Sequence, residues 1–227
     1  MVLPPGLADR ADLLEVSGLR AFHVWNHDIR FGPYRTVGTR VGLRSDDATR
    51  WGVIDDHETW NAKRPLSFTL EGEACPRWTA SCLGEARRRR HEEAIGVTTT
   101  GDGLAIDRRV VENASEASFA CSLDSGHAPG WRLRLSAGDA SGFGGTLVDE
   151  WGTAIARVRA IDRQTGEPYT YAVPSPVGFV IETRAGPVAA VERAFAGKVL
   201  LDPQTADAER CALATVAAAL LLWEPLR

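Results

Sequence analysis

The chain has 227 residues, of which 44% are hydrophobic and 25% are charged, and its formal net charge is −4. This composition is typical of a globular protein with a sizeable core. A mildly acidic balance argues against a nucleic-acid-binding protein, which would be strongly basic. Lys63 and Lys198 are the only lysines among 26 basic residues, and this excess of Arg, with much Ala and Gly, indicates the coding bias of a GC-rich bacterial genome.

The amino-terminal part reads as an irregular start followed by short extended segments. Residues 1–17 are predicted to be irregular. Residues 1–10 contain no apolar signal sequence, so we expect a cytoplasmic protein unless a leader has been removed. Strands are predicted over 19–25, 31–43, 66–71 and 78–83 from their aromatic and β-branched content. The polar stretch 46–61 is predicted to be a long loop around a short strand at 51–54.

A basic run follows, in which four arginines precede a histidine. Residues 85–93 are predicted to form a loop or a short helix and contain Arg87, Arg88, Arg89, Arg90 and His91. Clustered Arg contributes about 1 kcal/mol per residue to binding at an anionic surface, so this run is the candidate site for a phospholipid headgroup. The alternative is a solvated loop whose charge is neutralised by the neighbouring glutamates.

Two further clusters contain residue types that could form a site. Residues 55–58 contain two Asp, a His and a Glu and could bind a cation or act in acid–base chemistry, although such crowding is common in turns. His23 and His27 would be about 13 Å apart in a strand and could not share an ion. We therefore predict no metal site, no cofactor and no catalytic residue.

From residue 97 onward, strands and turns alternate every 8 to 12 residues, which is typical of an antiparallel sandwich or barrel. The Gly101-Asp102-Gly103 turn predicts a hairpin. Further strands are predicted over 118–123, 131–135, 143–148, 153–161, 169–173, 179–183, 188–195 and 198–201. No phosphate-binding glycine motif and no strand–helix alternation is present, so an α/β fold is not expected.

The four cysteines show neither a CxxC motif nor metal-ligand spacing. Cys211 lies in an apolar run and is predicted to be a small core residue. Cys82 and Cys121 each lie in a strand-like segment, and whether they are bridged is left open by the sequence.

The carboxyl-terminal segment predicts one buried helix. Asp202 is the predicted N-cap and Pro203 the first helical residue, and Pro225 ends the helix. From Cys211 to Trp223 no residue is charged, and a helix that is apolar on every face is enclosed by protein or lipid. The run is shorter than the roughly 20 residues that a membrane span needs. We therefore predict a single domain over 1–227, a closed antiparallel barrel of about twelve strands around a central helix at 203–223.

Two segments resemble the tubby C-terminal-like superfamily, which includes the phospholipid scramblases and the LURP-one-related proteins. Residues 143–156 resemble its strand–Asp–Gly–strand hairpin, and residues 201–224 resemble its polar lead and closing hydrophobic helix. The resemblance implies a twelve-stranded barrel with the helix through its centre. The chain lacks the cysteine-rich palmitoylation segment and the acid-rich calcium loop of scramblases, so calcium-driven scrambling is not expected.

The leading functional prediction is a non-enzymatic barrel that binds an anionic phospholipid headgroup or a protein partner through its outer surface. One alternative is a β-barrel enzyme or carrier, such as a natural-product cyclase, with a pocket at a barrel mouth. Another is a structural or interaction domain. Neither a nucleic-acid partner nor a transmembrane segment is predicted.

Overall fold

The residues that the structure describes form thirteen strands and one helix. The computed structural model describes residues 6–19, 27–52, 56–73, 75–100, 103–126, 130–137, 143–161, 176–194 and 196–224. The elements are β1 Asp12–Ser17, β2 Arg30–Phe31, β3 Tyr34–Val41, β4 Ser45–Trp51, β5 Asp56–Gly72, β6 Cys75–Thr100, β7 Gly103–Asp124, β8 Trp131–Ala137, β9 Gly144–Val148, β10 Ala154–Ile161, β11 Gly178–Thr183, β12 Gly186–Glu192, β13 Lys198–Leu201 and α1 Asp207–Leu222.

The strands form a closed antiparallel barrel. Neighbouring strands follow the order β3-β2-β1-β13-β12-β11-β10-β9-β8-β7-β6-β5-β4, and an additional pairing of β3 with β5 closes the ring. Twelve strands therefore make up the barrel wall, and β4 lies outside the ring, paired with β5. The predicted fold class is confirmed.

The helix α1 fills the barrel interior. Every residue from Cys211 to Trp223 is at most 4% exposed, because the helix has no polar face that could point to water. The wall contributes alternate residues of each strand, as in Leu66, Phe68 and Leu70 of β5, which are all buried. Among the described residues, no helix is both long enough and apolar enough to cross a membrane.

The helix begins later than predicted. Its N-cap is Ala206, which makes no side-chain capping bond. The Asp202 carboxylate instead accepts hydrogen bonds from the backbone N–H of Gln204 at 3.0 Å and from Nε of Arg10 at 2.7 Å. Burial raises the pKa of Asp202, but these two hydrogen bonds together with the charges of Arg10 and Arg210 outweigh it and hold that pKa below its ordinary value. Asp202 thus joins the chain ahead of the helix to the amino-terminal segment, and it is not the helix cap.

At its carboxyl-terminal end the helix is held by aromatic rings. Trp223 packs on Phe119 and Phe143, with ring centroids 4.8 and 4.7 Å away. A Cβ on Gly84 would approach Trp223 Nε1 to 3.2 Å, so a glycine in β6 makes room for the indole. Arg193 donates a hydrogen bond to the Trp223 carbonyl, which places a cation at the negative end of the helix dipole. Burial lowers the pKa of Arg193 to about 10, which leaves it charged at neutral pH.

Both cysteine pairs are bridged. Cys75, at the start of β6, is joined to Cys211 in the first half of α1. Cys211 lies in the core, as predicted, and it also ties the helix to the barrel wall through this bridge, which the sequence did not indicate. Cys82 and Cys121, which face each other across β6 and β7, form the second bridge, the pairing that the sequence left open.

Several local predictions are corrected. The predicted irregular start contains β1 at Asp12–Ser17. The predicted loop at 46–61 is largely the paired strands β4 and β5, and the predicted loop or helix at 85–93 is the middle of β6. The predicted strand at 169–173 lies outside the described residues, as does most of the one at 19–25. The hairpin strands on either side of residues 101–103 are confirmed.

Candidate binding surface

Three wall strands, β5, β6 and β7, continue well past the barrel end and, with β4, form a projecting sheet of four strands, which we call the arm. It consists of β4, residues 56–63 of β5, residues 85–100 of β6 and residues 103–117 of β7. The strand β8 pairs with β7 only over 117–123, so it does not extend into the arm. The arm emerges at the barrel end where Trp223 closes the helix.

The two faces of the arm can be assigned from the strand register. Ala62, Ala86 and Ala117 are opposed on three adjacent strands and pack together at its base. Within β5, Ala62 continues the row of inward-facing residues that includes Leu66, so we call the face of these alanines the inner face. Residues that alternate with them, such as Lys63 and Glu85, form the outer face, where they make an ion pair at 2.8 Å.

The arginine run lies in the part of β6 that crosses the arm. Because strand residues alternate, Arg87 and Arg89 lie on the outer face, and Arg88 and Arg90 on the inner face. Arg89 and Arg90 are paired with Glu116 at 3.4 Å and Glu92 at 2.5 Å. Within the described ranges, Arg87 and Arg88 make no ion pair. Four guanidinium groups split in this way cannot converge on one phosphate group.

On the inner face, Arg88 lies opposite Trp60 of β5. The guanidinium of Arg44 lies over the indole ring of Trp60 in a cation–π contact, with its Cζ 4.9 Å from the ring centroid. Arg44 in turn pairs with Asp46 at 2.7 Å. An aromatic ring with an arginine on it and an exposed arginine opposite it is a surface suited to a planar or acidic group of a partner.

Farther out on the inner face, Asp56 is the centre of a charge cluster. Nε of Arg50 lies 2.9 Å from its carboxylate oxygens, and Nη1 of Arg108 lies 3.1 Å from Oδ2. The hydrogen bonds from Arg50, with the charges of Arg50, Arg108 and Arg90, hold the pKa of Asp56 below its ordinary value. The cluster links β4, β5 and β7 through one buried carboxylate.

On the outer face, three rings stack across three strands. The ring centroids of Trp51 and His57 are 4.1 Å apart, and those of His57 and His91 are 3.9 Å apart. His91 Nε2 is buried without a hydrogen-bond partner. The fifth member of the predicted headgroup site is therefore part of a packed stack, on the opposite face from Arg88 and Arg90.

A groove of about 770 Å³ crosses the base of the arm. Residues of β4 to β8 line it, among them Asp47, Lys63, Glu85, Arg87 and Ser136. A second groove of about 670 Å³ lies over β8 to β11, around Arg157, Arg159 and Glu182. Neither described lining contains a histidine or a cysteine, so the serine hydroxyls in them have no imidazole base beside them.

Beyond Asp56, where β5 begins, the arm continues as a two-stranded ribbon with exposed aliphatic side chains. Ile95 and Val97 of β6 are 61% and 64% exposed, and Ile106 of β7 is 39% exposed. Val110 of β7, level with Asp56, is 45% exposed. Val97 and Ile106 are directly opposed. A two-stranded ribbon is marginally stable alone in water, so this tip is the part of the arm that gains most from a partner.

The remaining predicted sites are not assembled. Asp56 and His57 lie on opposite faces of β5, so they cannot act on one ion or one proton. Asp55 and His23 lie outside the described residues. In the part of the chain that the structure describes, no cluster of three or more metal-ligating side chains occurs.

The tip was missed as a binding element, although its hairpin was predicted. The signal was present in the spacing of the apolar residues on either side of the Gly101-Asp102-Gly103 turn. What the sequence did not indicate is that the aliphatic side chains of this hairpin, such as Val97 and Ile106, are exposed, whereas the other ends of the same strands are buried in the barrel.

No protein-family model, curated protein or solved structure matches the chain.

Proposed function

We propose that this protein is a non-enzymatic binding module in which a helix-filled barrel supports an arm that binds a protein partner through its faces. The observation that carries the proposal is the filled interior. The apolar part of α1 is buried along its whole length, so the barrel axis is occupied by the protein itself. A carrier or cyclase needs an internal cavity of a few hundred Å³, and the helix takes that space. Binding is therefore left to the outer surfaces.

A protein partner fits the arm better than a lipid headgroup does. The exposed side chains at the tip are aliphatic, and the arginines nearer the base are divided between two faces and partly neutralised by glutamates. Protein interfaces are enriched in aromatic residues and Arg and bury an apolar core. The inner face carries all three kinds of side chain, with Val97 and Ile106 at the tip and Trp60 and Arg88 nearer the base.

An anionic phospholipid headgroup is the second candidate ligand. It is favoured by Arg87 and Arg88, which are exposed and make no ion pair with any described residue. Two arginines on opposite faces of a strand give a weaker and more salt-sensitive attraction than a converging cluster would. Lipid binding through them would bring an edge of the arm to the membrane surface.

The proposed relationship is to the tubby C-terminal-like superfamily. It is supported by the closed barrel of twelve strands and by the single carboxyl-terminal helix inside it. The Asp149–Gly152 turn between β9 and β10 also fits the strand–Asp–Gly–strand hairpin of that superfamily. The Asp149 carboxylate accepts hydrogen bonds from the backbone N–H groups of Trp151 and Thr153 and so stabilises the turn.

We further propose that the protein works in an oxidising compartment. All four cysteines are bridged, and structural disulfides of this kind are rare in the cytosol. This proposal replaces the cytoplasmic location expected from the first ten residues. Thiol labelling of the protein as isolated from its own cells tests it, with four unreactive cysteines as the expected result and four reactive ones as the contrary result.

Site-specific photo-crosslinking tests the binding proposal. A photoreactive residue at Val97, on the inner face of the tip, is expected to give a discrete product with another protein in the cells that make this chain. The same residue at Arg159, on the outside of the barrel wall, serves as the control and is expected to give none. Products at neither position would contradict the proposal. Products with lipid alone at position 97 would favour the second candidate.

A shortened arm supplies the matched variant. Ala94 and Arg108 are directly opposed, so residues 95–107 can be replaced by an Asn-Gly turn without changing the rest of the register. The variant is expected to keep the thermal transition of the barrel and to lose the partner recovered by crosslinking, when the photoreactive residue is moved to Trp60. If the same partner is still recovered, the tip is not the binding element.

A further inference from the structure

A pocket of about 450 Å³ opens at the barrel mouth where α1 begins, and we call it the mouth pocket. It is bounded by the rim of the strands β8 to β12, by residues 202–206 and by the first turns of the helix. The sixteen residues of α1 span about 24 Å, so the mouth pocket lies that far from the barrel end that carries the arm. Its volume is in the range of small-molecule binding sites.

The mouth pocket exists because the start of the helix is held to one side of the barrel. Cys211 is bridged to Cys75 of β6, and Arg210 donates a hydrogen bond to the carboxylate of Asp12 in β1. In the order of the wall strands, β10 is four places from β1 in one direction and four places from β6 in the other. The pocket around β10 is therefore on the side of the barrel opposite these ties.

Two β-bulges shape the rim at the mouth pocket. The register of β10 on β9 shifts between Ala154 and Ala156, so Ile155 is an extra residue. The register of β12 on β11 shifts in the same way and makes Val188 an extra residue. Both extra residues line the pocket. Bulges are common at barrel rims and beside active sites, where they redirect a side chain.

Large apolar side chains form one wall of the mouth pocket. Trp131 lies edge-to-face against the buried Trp78, with the ring centroids 6.3 Å apart, so its indole is held in place. Ile155, Val188 and Leu213 of the helix line the pocket with it. Small-molecule sites combine such a lining with a few polar groups that orient the ligand. This wall is suited to the apolar part of a small molecule.

The ionisable groups of the described lining are two carboxylates. Asp202 already accepts hydrogen bonds from Arg10 and from the backbone of Gln204. Glu209 is exposed and lies three residues after the N-cap Ala206, where a glutamate often bonds back to the N-cap N–H. Within the ranges that the structure describes, Glu209 makes neither that bond nor an ion pair. Its carboxylate is therefore the polar group that the pocket offers to a ligand.

We propose that the mouth pocket binds a small amphiphilic amine, whose apolar part packs on Trp131 and Leu213 and whose ammonium group pairs with Glu209. An anion would meet the full negative charge of Glu209, whereas the helix N-terminus offers only about half a positive charge. The pocket and the arm are at opposite ends of the barrel. The inference and the proposed function can therefore fail independently.

Three probes with the same alkyl chain test the ligand class. Isothermal titration calorimetry of the full chain at neutral pH and low ionic strength would compare hexylamine, hexanol and hexanoate. Hexylamine is expected to bind most tightly, and hexanol about fivefold more weakly, because the ion pair with Glu209 is at an exposed position. Hexanoate is expected to bind most weakly, and added salt should reduce the advantage of hexylamine.

Two variants of the first helical turn test the role of the carboxylate. Glu209→Gln should weaken hexylamine binding by about fivefold and remove its preference over hexanol. Asp207→Asn is the matched control, because it removes the same charge from the same turn at a residue outside the described lining. It should leave the preference for hexylamine unchanged.

A third variant tests the location. Ala206→Leu adds apolar volume at an exposed lining position. Ala and Leu are similarly poor N-caps, so the start of the helix and the Tm should be unchanged. Binding of hexylamine and of hexanol should both become weaker, because the added side chain occupies the pocket.

Four results would overturn the inference. They are the absence of binding heat with millimolar hexylamine, tighter binding of hexanoate or hexanol than of hexylamine, equal effects of Asp207→Asn and Glu209→Gln, and wild-type affinity of Ala206→Leu for hexylamine.

Discussion

The bridge between Cys75 and Cys211 offers the most direct test of how the helix is held in the barrel. We expect that Cys75→Ala with Cys211→Ala lowers the free energy of unfolding without changing the folded structure. Alanine is chosen because Cys211 is buried and a serine hydroxyl there would need a new partner. The reference variant is Cys82→Ala with Cys121→Ala, which removes the other bridge.

The magnitude follows from the chain that each bridge closes. Cys75 and Cys211 are 136 residues apart in sequence, which corresponds to about 5 kcal/mol of lost chain entropy in the unfolded state. Cys82 and Cys121 are 39 residues apart, which corresponds to about 4 kcal/mol. Typical domains are stable by about 5–15 kcal/mol, so either loss is a large fraction of the whole. For a chain of this length the first loss corresponds to a decrease of about 10–20 °C in Tm.

Urea unfolding followed by tryptophan fluorescence measures both values. The seven tryptophans include Trp223 at the end of the helix and Trp78 in the wall, so fluorescence reports on the core. A variant without the Cys75–Cys211 bridge that unfolds at the wild-type urea midpoint would refute the reasoning. So would a wild-type mass that does not rise by about 4 Da on reduction, since two bridges hold four hydrogens fewer than four thiols.

Three further predictions concern the helix, the arginine run and the arm. Ala218→Glu should abolish folding, because an unpaired carboxylate at a fully buried position costs several kcal/mol. The control Ala208→Glu, on the exposed first turn of the helix, should fold, and a well-folded Ala218→Glu protein would contradict the central helix. Changing Arg87–Arg90 to Gln should abolish any salt-sensitive co-sedimentation with anionic liposomes and leave Tm unchanged, and binding that survives the change would exclude the run as a lipid site. The pKa of Asp56 is lowered in the folded state, so its contribution to the free energy of unfolding is present above the ordinary pKa of 3.8 and is lost as the pH falls below it. The urea midpoints of wild type and Asp56→Asn should therefore converge at low pH, and a difference that stays constant with pH would be contrary evidence.

The barrel and its helix were readable from the sequence because two independent periodicities agree. The run from Cys211 to Trp223 has no polar face, and this alone requires an enclosure. Short strands with turns every 8 to 12 residues supply an enclosure that can close on itself. The start of the helix was not readable, since Asp202 satisfies its carboxylate through Arg10, which lies 192 residues away in sequence. An Asp suits both a helix N-cap and a distant ion pair, so the sequence could not show which of the two Asp202 forms.

The arm could not be predicted, because its strands have ordinary sequences and differ from the wall strands only in that no other described element covers them. Charged residues such as Arg87–Arg90 normally predict a loop, yet a strand that is exposed on both faces carries them without cost. Its position depends on the point at which β8 stops pairing, and that point lies in the register of distant residues. The Cys82–Cys121 bridge lies just inside the barrel from this point. It is two residues along each strand from Gly84 and Phe119, which contact Trp223. The two strands that carry the tip are therefore covalently joined where they leave the barrel, so force applied to the tip is transmitted to the wall around the helix and does not separate the strands.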